Sequence, residues 1–168
     1  LHEKVAQAQG CKVQDQSASL AQIAIQGPAS RDILTAAGLA DLTTLKIRHC
    51  LDATLCGHSL LVTRTGYTGE LGYELYLPAA GAPTVWDRLL EAGRPLGIKP
   101  AGLGARDLLR LEMAYLLYGN DMNEETTPIE AGAEWVVKFD KGDFIGRTEL
   151  LAQQSQGAAR RLVAFELV

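Results

Sequence analysis

Two residues of a glycine-rich stretch have the chemistry to bind a planar, hydrogen-bonding ligand. Tyr67 stands among glycines, which let the backbone turn sharply and come close to a flat or bulky group. These are Gly66, Gly69 and Gly72. Glu74 follows Tyr67 by seven residues, where apolar and polar residues begin to alternate at the period of a strand. A carboxylate on that strand, opposite its apolar row, could accept hydrogen bonds from the donor edge of a heterocycle.

Arg106 is the third candidate, because it is predicted in the first turn of a helix. The helix dipole disfavours a cation there by a few tenths of a kcal/mol to about 1 kcal/mol. Two interpretations are open: Arg106 extends to solvent or pairs with Glu112 or another acid, or its guanidinium binds an anionic group such as a ligand carboxylate. Tyr67 also has a structural alternative, since a glycine-flanked tyrosine can plug the end of a sheet.

The other polar residues give weaker signals. The segment 118–121 is typical of a turn, and the acids Glu124, Glu125, Glu130 and Glu134 are expected on a solvated face. The three histidines lack metal-ligand spacing, so we expect no metal site. The three cysteines are far apart, which favours free thiols in a reducing compartment, with one long-range disulfide as the alternative.

The composition excludes two function classes. The chain has 168 residues, 47% of them hydrophobic and 21% charged, which is typical of a soluble protein with one core or two small lobes. No apolar run approaches the roughly 18 residues of a membrane span. A net charge of −4 disfavours binding to a nucleic-acid backbone.

The elements that must position these residues can be read from periodicity and from breaking residues. We predict strands over residues 20–26, 45–55 and 59–65, and a fourth strand after the glycine-rich turn. Ser30 is predicted to cap a helix over residues 31–37 that Gly38 ends. Interspersed helices and hairpins predict an α+β fold with antiparallel sheets and flanking helices.

Further helices are predicted in the second half of the chain. One starts at Pro83 and ends at Gly93, with an apolar stripe that includes Trp86. Another runs over residues 105–116 and should turn its apolar side chains to the core. These are Leu108, Leu111 and Tyr115.

The remaining predictions concern the last third of the chain and its two ends. Residues 135–139 alternate as a strand, and Thr148 is predicted to cap a helix that runs to Gln154. Residues 1–9 look like a helix, and residues 165–168 look like part of a strand. Because the first residue is not Met and the last run looks incomplete, we expect a fragment cut at both ends.

Seven blocks of sequence, in order, resemble the glycine cleavage system T-protein family, the aminomethyltransferases. The blocks are IQGP at 25–28, RTGYTGE at 64–70, KPAGLGARD at 99–107, LRLE at 109–112, YGND at 118–121, TPIEAG at 127–132 and DFIGR at 143–147. The resemblance covers residues 19–151, most of the chain.

The resemblance implies a three-domain folate-binding cloverleaf, truncated here before its C-terminal barrel. By that likeness residues 1–17 are the tail of an α+β domain begun upstream, and residues 18–123 are the folate-binding portion of the first domain. Residues 124–157 return to the second domain, and residues 158–168 open the C-terminal barrel.

The resemblance also implies an activity. A one-carbon unit passes from the aminomethyl-lipoyl carrier protein of the glycine cleavage system to tetrahydrofolate, and ammonia is released. Tetrahydrofolate is the acceptor substrate, no metal takes part, and the lipoyl carrier protein is the partner. The setting would be cytoplasmic, or the mitochondrial matrix if the source is eukaryotic.

Residue roles follow by position. Tyr67 would line the folate channel, Glu74 would accept from the pterin ring's donors, and Arg106 would be the substrate-site arginine. The family's catalytic aspartate is expected upstream of Leu1 and a further folate-contacting arginine beyond the C-terminus. This fragment alone is therefore expected to be inactive.

Two alternatives remain open. Leu71 and Tyr73 are similar to the folate-binding one-carbon domain of dimethylglycine and sarcosine dehydrogenases. A non-catalytic folate-binding module is the second alternative. A folate-binding iron–sulfur assembly protein is disfavoured, because that relative carries a cysteine at the position of Asp143.

Overall fold

The computed structural model describes residues 12–165, and the chain divides into two compact units after Arg106. The helix predicted at residues 1–9, Cys11 and the last three residues of the predicted terminal strand lie outside this range. No helix of the described part has the length and apolar character needed to cross a membrane.

An antiparallel sheet of four strands forms the centre of the first unit. The strands are β1 (Leu20–Gln26), β2 (Cys50–Leu55), β3 (His58–Thr63) and β4 (Gly72–Pro78). Their order across the sheet is β1-β4-β3-β2, so β4, which carries Glu74, is an inner strand with a partner on each side. The predicted α+β fold with an antiparallel sheet is confirmed.

Two helices cover one face of this sheet. Helix α1 (Ser30–Ala37) ends at Gly38, whose φ of 116° is left-handed, and helix α2 (Ala82–Gly93) has a proline in its first turn, both as predicted. The two helices pack on each other and against β1 and β4. Trp86 departs from its predicted stripe, because its side chain is 40% exposed.

The core lies between these helices and the sheet. Its fully buried members include Leu34 of α1, Val62 of β3, Leu75 of β4 and Val85 of α2. Tyr73 is also fully buried, and its hydroxyl accepts a hydrogen bond from Arg31 Nε at 3.0 Å. A buried phenol needs such a partner, since an unpaired polar group in a core lowers the stability of the fold.

Strand periodicity places Glu74 on the face opposite the core, as the sequence predicts. Tyr73, Leu75 and Leu77 are buried, whereas Glu74 and Tyr76 are only half-buried on the other side. In the register of the sheet, Glu74 stands between Ala24 of β1 and Thr63 of β3. The carboxylate is thus held by paired strands on both sides.

Two predictions for the first unit need correction. Strand β2 begins at Cys50, not at residue 45, because a turn at Ile47 and Arg48 precedes it, with Arg48 at a φ of 63°. Ser30 is the first residue of α1 and makes no cap. Its hydroxyl donates instead to Leu71 O at 3.1 Å, which ties α1 to the segment before β4.

Regular structure is sparse in the second unit. Helix α3 (Leu103–Glu112) contains the boundary between the units, and helix α4 (Arg147–Gln156) is the only other α-helix of the described residues beyond it. Short 3₁₀ turns occupy Glu134–Val136 and Phe139–Lys141. The strand predicted at residues 135–139 is therefore wrong: its residues alternate, but they form turns and pair with no strand.

The helix predictions here also need correction. Helix α4 starts after Gly146, so Thr148 lies inside it and is not its cap. Helix α3 ends at Glu112, four residues before the predicted end. The side chains predicted to face the core are exposed, at 58% for Leu108, 57% for Leu111 and 38% for Tyr115. Leu108 and Leu111 lie on the helix and Tyr115 lies beyond its end, and helical spacing alone does not provide a surface that covers them.

Candidate functional site

A loop between β3 and β4, residues 64–71, carries Tyr67. Gly69 has a φ of 75°, a conformation that costs a side-chain-bearing residue about 1–2 kcal/mol. The loop is tied back to β1 at its end, because Gly27 N donates to Leu71 O at 2.8 Å. Arg64 is anchored at the other end, where Nη1 donates to Leu45 O at 2.9 Å.

Gln26, the last residue of β1, lies against both ends of this loop. Its Nε2 donates to Thr65 O at 3.3 Å and to Tyr73 O at 3.1 Å. A Cβ added to either Gly66 or Gly72 would collide with its side-chain amide. The loop glycines therefore serve two purposes, a left-handed turn at Gly69 and room for an amide at the other two positions.

Glu74 accepts two hydrogen bonds at one of its carboxylate oxygens. Thr65 Oγ1 donates to Oε2 at 2.5 Å, and the Tyr76 hydroxyl donates to the same oxygen at 3.0 Å. Among the described residues Oε1 has no such partner. The carboxylate is thus held in place through one oxygen, and the other keeps its lone pairs for a donor that comes from outside.

A short relay of hydroxyls supports this carboxylate. Thr63 Oγ1 and Thr65 Oγ1 are 2.6 Å apart. Because a hydroxyl has one hydrogen and Thr65 donates its own to Glu74, Thr63 is the donor of that pair. Burial and the hydrogen bond to Glu74 raise the pKa of Tyr76 above its usual 10.0, so its hydroxyl stays a donor at neutral pH.

Arg106 lies with its guanidinium carbon 4.6 Å from the centre of the Tyr67 ring. This distance is typical of a cation–π contact. Tyr67 is half-buried and Arg106 is exposed. Within the described part of the chain no carboxylate comes into ion-pair distance of Arg106, so the predicted alternative of a pair with Glu112 does not hold there.

The three predicted site residues all belong to the first unit. Tyr67 and Arg106 are in direct contact, and Glu74 connects to the same loop through Thr65, two residues before Tyr67. The arrangement offers an aromatic ring, a guanidinium with its N–H edges open to solvent, and an acceptor oxygen. These groups can bind a flat molecule that has hydrogen-bond donors and a negative charge.

Three contributors were missed by sequence reasoning as site residues: Gln26, Thr65 and Tyr76. Thr65 and Tyr76 flank the predicted residues, so their proximity in sequence was the available signal. Gln26 is distant in sequence, and only the block IQGP at 25–28 drew attention to its position. A glutamine at a strand end has no periodic signature that predicts a contact 39 residues away.

In the second unit several charged residues have structural partners, and Arg110 has the most. Arg110 is only 3% exposed, and its Nε donates to Asp107 Oδ1 at 2.7 Å. Its Nη1 donates to Tyr115 O at 3.0 Å and to Asp121 Oδ2. Asp121 also accepts from Leu117 N at 2.8 Å, so the predicted turn is present and is fixed by an ion pair between buried Arg110 and half-buried Asp121.

Glu130 is not on a solvated face, contrary to the expectation for the acid-rich segment. It is 8% exposed, accepts from Thr127 N at 2.9 Å and from Arg160 Nε at 2.9 Å. Glu130 N donates back to Thr127 Oγ1 at 3.2 Å, which completes a reciprocal pair of the capping-box type. The bonds from Thr127 and Arg160 lower the pKa of Glu130 below 4.5.

Neither cysteines nor metal-binding groups form a second site among residues 12–165. Cys50 and Cys56 are exposed free thiols. No group of three or more His, Cys, Asp or Glu side chains there is placed to hold a metal ion.

The sequence of residues 1–141 matches the family model of the GCVT N-terminal domain. The chain belongs to this family. Among curated proteins, the aminomethyltransferase of Halothermothrix orenii is 52% identical over 159 residues, which cover 95% of this chain and 44% of that protein. The aminomethyltransferase of Caldanaerobacter subterraneus subsp. tengcongensis is 48% identical over 158 residues, 94% of this chain and 42% of the relative.

The fold of this GCVT-family chain has a solved counterpart. It is similar, with a TM-score of 0.56, to the crystal structure of the glycine cleavage system aminomethyltransferase T from Bartonella henselae. The match covers 84% of this chain and 63% of that one, at 23% sequence identity. The chain thus spans less than half the length of the two curated relatives and under two thirds of the solved structure.

Proposed function

We propose that this chain is the folate-binding portion of an aminomethyltransferase of the glycine cleavage system. The protein would transfer a one-carbon unit from the aminomethyl-lipoyl carrier protein to tetrahydrofolate and release ammonia. The observation that carries this proposal is the placement of the Glu74 carboxylate on the same loop system as the Tyr67–Arg106 contact. The names of the relatives, at 48–52% identity, support the same activity.

Each site residue has a role in the proposed binding of tetrahydrofolate. The free oxygen of Glu74 would accept hydrogen bonds from the N–H groups of the pterin ring. The half-buried ring of Tyr67 would line the channel, and Arg106 would bind an anionic group through its guanidinium edges. Tetrahydrofolate itself is the nucleophile, so the contribution of these residues is placement and charge stabilisation.

The group that takes part in the chemical step is proposed to lie outside this chain. The described residues offer an acceptor, a cation and hydroxyl donors around Glu74, but the resemblance assigns the family's catalytic aspartate to a position upstream of Leu1. The lipoyl carrier protein is the proposed partner. A cytoplasmic setting, or the mitochondrial matrix in a eukaryote, belongs to the same proposal.

The alternative of a dehydrogenase-linked folate domain is less well supported. Leu71 and Tyr73 favoured it in the sequence, yet the two curated relatives described above are named aminomethyltransferases. Tyr73 is a core residue bonded to Arg31, so its identity reflects packing and says little about the partner domain.

The experiment compares Glu74→Gln with Glu70→Gln in the intact protein, with tetrahydrofolate binding measured by calorimetry. Glu74→Gln is expected to weaken binding about 10- to 100-fold, since hydrogen bonds to a charged group contribute about 1.5–3 kcal/mol each. Glu70 is exposed in the loop, and its side chain should be replaceable without effect. Equal losses from the two variants would contradict the role of Glu74.

A further inference from the structure

We propose that Gln26 is a positioning residue for the tetrahydrofolate site, an inference that rests on the proposed function. Among the described residues, its amide makes no hydrogen bond to the Glu74 carboxylate. Its two N–H bonds join the start of the loop, at Thr65 O, to strand β4 just after the loop, at Tyr73 O. One amide therefore holds both ends of the segment that carries the ligand groups.

The two carbonyls that Gln26 binds belong to the residues on which Glu74 depends. Thr65 donates its hydroxyl to Glu74 Oε2 at 2.5 Å, and Tyr73 is the residue before Glu74 in the chain. A shift of Thr65 away from β4 would release that bond and let the carboxylate rotate. Gln26 thus fixes the distance between the acceptor and the hydroxyl that orients it.

The glycines around Gln26 point to the same role. Gly69 needs a left-handed backbone, but Gly66 and Gly72 do not have a positive φ. Conformational freedom is therefore not the reason for glycine at these two positions. In both places a Cβ would overlap the side-chain amide of Gln26, so the two sites are kept empty for that amide.

The oxygen of the Gln26 amide argues against a role in stability alone. Gln26 Oε1 is buried and has no hydrogen-bond partner among the described residues. A buried unpaired carbonyl oxygen lowers stability, and an apolar side chain of similar size would avoid that cost. What the amide provides, and an apolar side chain cannot, is the pair of donated bonds that close the loop.

The first test is Gln26→Met in the intact protein, with steady-state kinetics for both substrates. Methionine keeps the length of the side chain and removes both donors. The KM for tetrahydrofolate is expected to rise about tenfold, since loosely placed groups bind less well, while the KM for the aminomethyl carrier protein stays unchanged. If Gln26 only stabilised the fold, Gln26→Met would change the KM values for both substrates or for neither.

The matched control is Gln22→Met on the same strand. Gln22 lies on the same face of β1, is exposed, and is paired with Tyr76 in the register. The Gln22→Met variant should have unchanged KM values for both substrates. A wild-type KM for tetrahydrofolate in Gln26→Met, or an equal rise in Gln22→Met, would overturn the proposal.

The second test does not depend on activity. Gly72→Ala should lower the urea midpoint of unfolding in the presence of Gln26, because the new methyl group meets its amide. In a Gln26→Ala background the same change should be tolerated, since the space is then free. Additive effects of the two substitutions would overturn the close packing on which the positioning role depends.

The two tests separate this inference from the proposed function. If the unchanged protein does not bind tetrahydrofolate, the proposed function fails and the positioning role fails with it, whereas the coupling between Gln26 and Gly72 persists. If Gln26→Met does not fold, the double variant Gln26→Ala/Gly72→Ala takes its place, because its added methyl fills the space. The same selective rise in KM is then expected, and its absence contradicts the proposal.

Discussion

At the scale of single residues, the contact between Arg106 and Tyr67 leaves the edges of the guanidinium available. The guanidinium carbon lies over the Tyr67 ring, 4.6 Å from its centre, and Arg106 is exposed. Its five N–H donors are therefore accessible to a bidentate anion. Its position in the early part of α3, unfavourable for the helix itself, is consistent with a binding role.

Arg106→Lys should impair aminomethyl transfer while the fold stays intact. The ammonium keeps the charge but cannot reproduce the fork, so kcat/KM is expected to fall by roughly tenfold or more. Arg94→Lys, at an exposed position in the turn Arg94–Leu96, is the control and should retain activity. Full activity of Arg106→Lys would show that the arginine is structural.

Glu130 predicts a pH dependence of stability. Its pKa is lowered by hydrogen bonds from Thr127 and Arg160, so the folded state favours the ionised form. The contribution is present above the unfolded pKa near 4.5 and is lost as the pH falls through the lower folded value. Glu130→Gln should therefore flatten the decline of the thermal midpoint below about pH 4.5.

The comparison for this titration is Glu125→Gln. Glu125 is exposed, and its hydrogen bonds in the described structure come from its backbone: the nitrogen donates to Asn123 Oδ1 and the oxygen accepts from Arg160 Nη2. In the Glu125→Gln variant, the thermal midpoint should decline at acid pH as steeply as in the unchanged protein. If the thermal midpoints of wild type and Glu130→Gln declined in parallel as the pH falls, ionisation of the Glu130 carboxylate would not contribute to the stability of the fold.

At the scale of elements, the end of α1 depends on one backbone conformation. Gly38 has a φ of 116°, and its N–H bonds to the last turn of the helix. Gly38→Ala should cost about 1–2 kcal/mol in urea unfolding, because an added Cβ disfavours this region, although there is space for it. Gly102→Ala, with open space and no positive φ, should change stability by less than about 0.5 kcal/mol.

Elements were predictable where local pattern and tertiary pairing agree. Alternation found β1 and β4 because each has a neighbour that hydrogen-bonds to it. The same alternation failed at residues 135–139, where no strand is adjacent and the chain forms 3₁₀ turns. The cap predicted at Ser30 is absent because the Ser30 hydroxyl donates to Leu71 O instead. The two residues are 41 positions apart, so rules based on neighbouring residues do not predict this contact.

The candidate site stays a prediction. Tyr67, Glu74 and Arg106 were proposed from residue type and resemblance, and the structure brings Tyr67 and Arg106 into contact. Thr65, which donates to Glu74, and Gln26, which donates to Thr65 O and Tyr73 O, were not identified from the sequence. Their roles consist of distances between backbone and side-chain atoms, which composition and periodicity do not encode.

At the scale of the whole molecule, burial differs strongly between the two units. The large apolar core lies entirely in the first unit. Among the described residues beyond Arg106, only Arg110, Glu130 and Ala131 are buried. Large apolar side chains in that part remain exposed, including Trp135 at 66% and Ile145 at 87%. The second unit is therefore held mainly by polar contacts.

Hydrogen–deuterium exchange should reflect this difference. Helix α1 has eight residues and four buried side chains, whereas α4 has ten residues and none. In this chain the amides of α1 are expected to exchange at least about tenfold more slowly than those of α4, since protection follows burial more than helix length. Equal protection of the two helices would contradict this account of the second unit.

The side chain that fills the space at two glycines also constrains how this loop can evolve. With Gln26 in place, an alanine at Gly66 or Gly72 meets its amide, so either change is accessible only after position 26 has become smaller. The reverse order passes through an unstable intermediate. Substitutions at positions 26, 66 and 72 therefore depend on one another. The order in which they occur decides which of them the loop tolerates.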